Sequence, residues 1–207
     1  MPLDSYDSLN DIQMDALREI GNIGSGNAAS AISSMLDRPI NITVPTISIL
    51  DYNEVVENLG GPEQLLVALM LYMSGDVNGM IMFLLHKDFA HMTLNTLMGS
   101  DLEDFSEIEE METSAIKEVG NIMASSFINA IAELTSLRID ISVPDICIDM
   151  AGAVLSVPAI HYANISDKII FIEDEFSSDQ DNAASHVLMV PDVESLNKIM
   201  QNLGIEL

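Results

Sequence analysis

Two long stretches of the chain carry apolar residues at the spacing of a buried helical face. Leu17, Ile20, Gly24, Ala28, Ala31 and Met35 form one stripe, and Ile116, Val119, Met123, Phe127, Ala130 and Leu134 form the other. The spacing predicts helices of roughly 25 to 30 residues ending near Leu36 and Thr135. Asn10 with Gln13 opens the first helix, and Ser106 with Glu109 opens the second, as reciprocal caps. After each helix the period drops to two, at Ile40, Ile42 and Val44 and again at Ile139, Ile141 and Val143. A proline follows each run, Pro45 and Pro144, and suits an edge, a bend or a bulge. Asp51 with Glu54 caps a short helix that ends at Gly60-Gly61. Residues 65–74 and 80–85 read as strands joined by the turn "GDVNG", and 88–97 as a helix stopped by Gly99. In the second half, 153–157 extends the region after the proline strand and 158–164 reads as a short helix. Residues 168–176 and 186–190 read as strands around the polar loop "SSDQDNAAS", and 192–203 as a closing helix before Gly204.

The two stretches are copies of each other. Residues 15–50 align with 114–149 without a gap, at an offset of 99, and 13 of the 36 aligned positions are identical. The chain is therefore read as two homologous halves, about 10–100 and 107–205, joined by an acidic stretch and sharing one core. The expected fold is α/β: a single pseudo-two-fold domain over residues 1–207, with a mostly antiparallel sheet and both long helices on one side. Each half is expected to run helix–strand–short helix–strand–strand–helix.

The repeat also sorts the segment "REIGNIGSGNAAS". Gly21 recurs as Gly120, whereas Gly24 and Gly26 become Met123 and Ser125. A phosphate-cradling glycine loop must follow a strand, and here the preceding residues are helical. The recurring unit is Glu-x-Gly-Asn. Asp15, Glu19 and Asn22 share one helical face, and Ser114, Glu118 and Asn121 repeat that row. A glycine beside each Asn is expected to keep the surface low, so that another backbone can approach.

Composition narrows the function classes. Thirty-three acidic residues against seven basic ones give a net charge of −26, which argues against a nucleic-acid or anionic-membrane surface. It suits a basic partner or simply an acid-rich proteome. With 14 Met, 5% aromatic residues and no Trp, the core is aliphatic and Met-rich. The single Cys147 fits a reducing cytoplasm and is expected to be buried and inert. The polar start "MPLDSYDSLN" is unlike a signal peptide, and no apolar run reaches membrane-spanning length.

The usual catalytic sets are missing: no G-x-S-x-G, no H-E-x-x-H, and four scattered histidines. Asn cannot act as a general base, but its amide can orient a water, and Glu can pair with a partner's cation. A surface row with no nucleophile makes chemical sense if the reaction centre belongs to another molecule. Phosphoryl transfer suits this, because positioning the attacking water is much of its catalysis.

The pattern [Asp/Ser]-x3-Glu-x2-Asn-x22-Pro occurs twice, as Asp15, Glu19, Asn22, Pro45 and as Ser114, Glu118, Asn121, Pro144. In this the chain resembles the CheC/CheX/FliY phosphatases of chemotaxis, the CheC type above all, over roughly residues 10–205. The resemblance implies a cytoplasmic hydrolase of two-component signalling whose substrate is the phosphorylated response regulator CheY. Asn22 and Asn121 would position the water, and Glu19 and Glu118 would hold a lysine of the regulator. The Mg²⁺ would be the regulator's own, with no metal bound by this chain. The receptor deamidase CheD would be a second partner. Asp149, which replaces Leu50 of the first half, is the candidate residue for that surface. Two other readings remain: a non-catalytic adaptor for CheD or CheY, and a structural component of the flagellar switch.

Overall fold

Six α-helices and eight strands succeed one another among the described residues, which are 5–102, 104–162, 167–177 and 182–205 of a computed structural model. The first half comprises α1 (Asp11–Leu36), β1 (Asn41–Ile42), β2 (Thr46–Asp51), α2 (Tyr52–Asn58), β3 (Leu65–Gly75), β4 (Gly79–His86) and α3 (Lys87–Met98). The second comprises α4 (Glu110–Thr135), β5 (Ile139–Ile141), β6 (Asp145–Met150), α5 (Ala151–His161), β7 (Lys168–Ser177), β8 (Asn182–Pro191) and α6 (Val193–Asn202). Each half has one strand more than its pattern predicts. Pro45 and Pro144 offer no N–H to a ladder, so the extended run breaks there into two strands.

The caps set the helix starts. The Asn10 side chain accepts the Gln13 N–H at 3.0 Å, and the Gln13 side chain accepts the Asn10 N–H at 2.9 Å. The expected Ser106 cap is wrong. Asp104 takes the Ser106 N–H, Phe105 is buried, and residues 105–107 form a 3-10 turn. The helix instead starts after Glu109, which forms the reciprocal cap with Glu112. The reading of 153–157 as an extension of strand is also wrong, because α5 covers it. Its buried residues Ala151, Val154, Leu155 and Pro158 have helical spacing, but exposed Val157 and Ile160 erase the contrast that would reveal it. The "SSDQDNAAS" loop is shorter than expected, since β8 already begins at Asn182. Residues 178–181, and the end of the expected 158–164 helix, lie outside the described residues.

Every strand pairing is antiparallel. β7, β8, β4 and β3 lie side by side in that order. β1 and β2 both pair with the outer edge of β7, and β5 and β6 with the outer edge of β3. The first half thus lends β1 and β2 to the second half's β7, and the second lends β5 and β6 to the first half's β3. The outcome is a pseudo-two-fold α/β fold around one continuous sheet.

The two sheet faces are covered differently. Leu17, Ile20 and Ile32 of α1 and Ile116, Val119 and Phe127 of α4 pack on one face, joined by α3 and α6. On the other face Val55 of α2 and Val154 and Leu155 of α5 cover Leu66, Met82, Leu84 and Phe171. Central strands β3 and β4 are therefore buried on both sides, which is why they read as nearly unbroken apolar runs. The helical stripes hold as far as Ala28 and Ala130. Beyond them the 3.6-residue period drifts: Ile32 and Leu36 take the core, Ala31 and Met35 are half-buried, and Leu134 is exposed.

Two of the scattered histidines meet in the second core. His86 and His186 lie with Nε2 atoms 3.3 Å apart, and Phe171 stacks on the His186 ring. Burial, then the neighbouring His86, pushes the His186 pKa down to about 4, and burial lowers that of His86. The unfolded chain binds a proton at this position near pH 6.5 and the folded chain does not. His186 stability is therefore fully present above pH 6.5 and is lost as pH falls toward 4, by up to roughly 3 kcal/mol. Urea midpoints of wild type and His186→Gln, taken between pH 7 and 4, should show a flatter profile for the variant; parallel profiles would mean that His186 does not carry this loss.

Candidate functional site

The Glu–Asn rows face outward from two neighbouring helices, α1 and α4, on one side of the sheet. Asp15, Glu19 and Asn22 are exposed, as are Ser114 and Glu118, while Asn121 is half-buried. The second row opens onto a groove of about 310 Å³. Its walls are Ser114, Lys117, Glu118 and Asn121 from α4, Ile141 at the end of β5, and Ser142, Val143 and Pro144 from the break between β5 and β6. The helix row and the distant proline therefore converge, although 22 residues separate Asn121 from Pro144. Ser142 pins this break to β3: its N–H donates to the Tyr72 carbonyl at 2.9 Å, and its hydroxyl accepts the Tyr72 N–H at 3.0 Å.

Gly21 and Gly120 do not keep the surface low, as expected, because both are buried. A Cβ at Gly21 would lie 2.6 Å from Ile47 Cδ1 of β2, and one at Gly120 would lie 2.5 Å from Leu69 Cδ1 of β3. Leu69 pairs across the sheet with Ile146, the repeat partner of Ile47. The glycines thus let each helix settle onto equivalent points of the sheet, and this fixes the height of the adjacent Asn. Gly24 serves the other contact, since a Cβ there would meet the Phe127 ring at 2.7 to 3.0 Å. Gly26 would meet nothing within 4 Å, and the structure gives no reason for it.

The two sites differ in their charges. Arg18 is bound to Asp15 at 2.5 Å, an exposed pair of small energetic worth. In the second half Lys117 and Ser114 hold these positions, and the Ser114 hydroxyl donates to the Glu110 carbonyl at 2.8 Å. The motif does not include Arg18 and Lys117. The internal alignment held the signal, a cation immediately before each Glu.

Asp149 lies apart from both sites. In β6, Ile146 and Ile148 pack toward α1 and α4, whereas Cys147 packs toward α2 and α5. Strand alternation puts Asp149 on the Cys147 side, where it is exposed. Leu50, its repeat partner, packs against that core instead. Cys147 is half-buried rather than fully buried, and burial raises its thiol pKa. Among the described residues no group of three or more His, Cys, Asp or Glu is placed to hold a metal ion, and no helix is long and apolar enough to cross a membrane.

A model of the CheC-like family matches residues 12–49 and 111–148, the two copies of the repeat. The chain is 35% identical to the CheY-P phosphatase CheC of Bacillus subtilis, over 98% of this chain and 99% of that one. It is 24% identical to the putative CheY-P phosphatase CheC1 of Halobacterium salinarum, over 92% and 96%. The crystal structure of FliY from Thermotoga maritima superposes with a TM-score of 0.75 at 23% identity, covering 95% of this chain and 98% of that one, a likeness of fold. With both copies of the motif matched and 35% identity across almost the whole length, this chain belongs to the CheC-like family.

Proposed function

We propose that the chain is a hydrolase of the chemotaxis system that removes the phosphoryl group from the aspartyl-phosphate of CheY. The observation that carries this is the groove in which Glu118, Asn121 and the Val143-Pro144 corner meet, an open site whose two serine hydroxyls are tied to backbone carbonyls with no His among the lining residues. The name of the Bacillus subtilis relative supports the same substrate. Asn121, and Asn22 in the first half, reach into the regulator and orient water in line with the phosphoryl group. Glu118 and Glu19 hold a lysine of the regulator and set the angle of approach. The Mg²⁺ that neutralises the phosphoryl oxygens belongs to the regulator, and this chain supplies positioning alone. The test is the decay of phosphorylated CheY with Mg²⁺ present and this chain at one-tenth of the regulator's concentration. Multiple turnovers support hydrolysis. Slowed or unchanged decay with tight binding moves the protein to the adaptor class.

The adaptor alternative draws on Asp149, an exposed acid on the opposite side of the sheet from the Glu–Asn rows. We assign CheD to that surface. Asp149→Lys is expected to weaken CheD binding at least tenfold, as charge reversal at an interface does, while basal CheY-P decay is unaffected. Unchanged CheD affinity in a titration would remove Asp149 from that surface.

A further inference from the structure

Four large apolar side chains lie in the open beside the Glu–Asn rows, and they form two pairs related by the repeat. Val44 and Val143 are each 81% exposed; Ile12 and Met111 are 67% and 70% exposed. The offset of 99 that relates the halves maps Ile12 onto Met111 and Val44 onto Val143. Ile12 stands three residues before Asp15, so Ile12, Asp15, Glu19 and Asn22 make one row along α1. Met111, Ser114, Glu118 and Asn121 make the same row along α4. Val143 forms a wall of the groove that holds Glu118 and Asn121.

The outward direction of the valines is built in. In each break the proline turns inward, Pro144 buried and Pro45 half-buried, and the preceding valine turns out. The Ser142 hydroxyl donates to the Val143 carbonyl at 3.1 Å, so that corner is held in place. An apolar side chain held in water in both halves, at the same position and to the same extent, is a feature of the site.

We infer, on the strength of the phosphatase function proposed above, that Val44 with Ile12 and Val143 with Met111 are the apolar anchors that dock phosphorylated CheY, one regulator at each site. Met111 continues the polar row by one helical turn and Val143 flanks it across the groove, with Ile12 and Val44 at the repeat-related positions, so docking sets where the Asn amide enters the regulator. The occupant must therefore offer an apolar surface around a cationic, phosphorylated centre. A second copy of this chain does not fit, because it would bring together two molecules that each carry a net charge of −26.

The anchors should carry affinity and leave the chemistry alone. The experiment titrates CheY charged with beryllofluoride and, separately, measures CheY-P decay. It uses wild type, Val44→Ser/Val143→Ser, Ile12→Ser/Met111→Ser, and Ile160→Ser as control. Ile160 is 79% exposed but lies on α5, away from both rows. All these positions are on the surface, so folding is not at risk. Each paired variant is expected to raise Kd and KM roughly tenfold with kcat unchanged, and the control to change neither. Wild-type turnover with paired variants of unaltered KM would overturn the docking assignment. A fall in kcat at constant KM would overturn it as well, and so would wild-type self-association that the variants abolish. Binding that the variants weaken, but without any acceleration of decay by wild type, would keep the anchors and remove the phosphatase function.

Discussion

A chain carrying both Asn22→Ala and Asn121→Ala is expected to leave phosphorylated CheY decaying at its intrinsic rate, with docking intact. Loss of an orienting amide costs roughly 10²-fold in turnover where positioning is the main contribution. Each Asn follows a buried glycine, and Asn22 is exposed and Asn121 half-buried, so the substitution removes an amide at the surface and is expected to leave the helix stable. Asn121→Ala alone is expected to take the larger share. Asn121 is half-buried in a walled groove, whereas Asn22 is exposed on α1, and the more enclosed amide is the better oriented. Glu19→Ala and Glu118→Ala should act chiefly on KM, as loss of an ion pair to the regulator would. The decisive reading is single-turnover decay with the regulator saturated. Full activity in the double variant would mean that the water is placed by other groups.

Phe127→Ala should cost about 3 to 5 kcal/mol of stability, and Gly24→Met roughly 3 kcal/mol. The Phe127 ring is fully buried, meets Phe83 edge-on at 5.9 Å, and lies on the face of α1 that Gly24 leaves bare. The repeat shows how such a layer can be built the other way. Residues 24 and 127 are Gly and Phe, while their partners 123 and 28 are Met and Ala. The double variant Gly24→Met/Phe127→Ala therefore moves the bulk from α4 to α1. It is expected to lose less than the two single variants together, by about 2 kcal/mol, the coupling of residues in direct contact. Urea denaturation of the four chains measures this. Strict additivity would show that the two side chains do not share the space between the helices.

Both predictions concern the same helices, but they differ in how far the sequence alone reached them. The motif rows of Glu and Asn were legible because helical periodicity is local, and because the gapless repeat presented the same row twice. The caps at Asn10 and Asp51 were legible for the same reason: each cap spans only three residues. The expected cap at Ser106 failed, because Asp104 takes the Ser106 N–H and residues 105–107 turn as a 3-10 helix, so the helix starts later, after Glu109. The 153–157 segment failed differently, since α5 is apolar on its exposed side as well as its buried one.

The sequence by itself determined the two halves, the periods of their helices and strands, and the spacing that places Glu and Asn on a common face. Only the tertiary structure decided the exchange of β1–β2 and β5–β6 between the halves, because strand partners are chosen by contacts far apart in the chain. That exchange presses Ile47 and Leu69 against Gly21 and Gly120 and so fixes the height of each helix over the sheet. It also brings the Val143-Pro144 corner up to Asn121, closing a groove. A row of side chains follows from 3.6 residues per turn, whereas a site needs a second wall, and here packing supplies it.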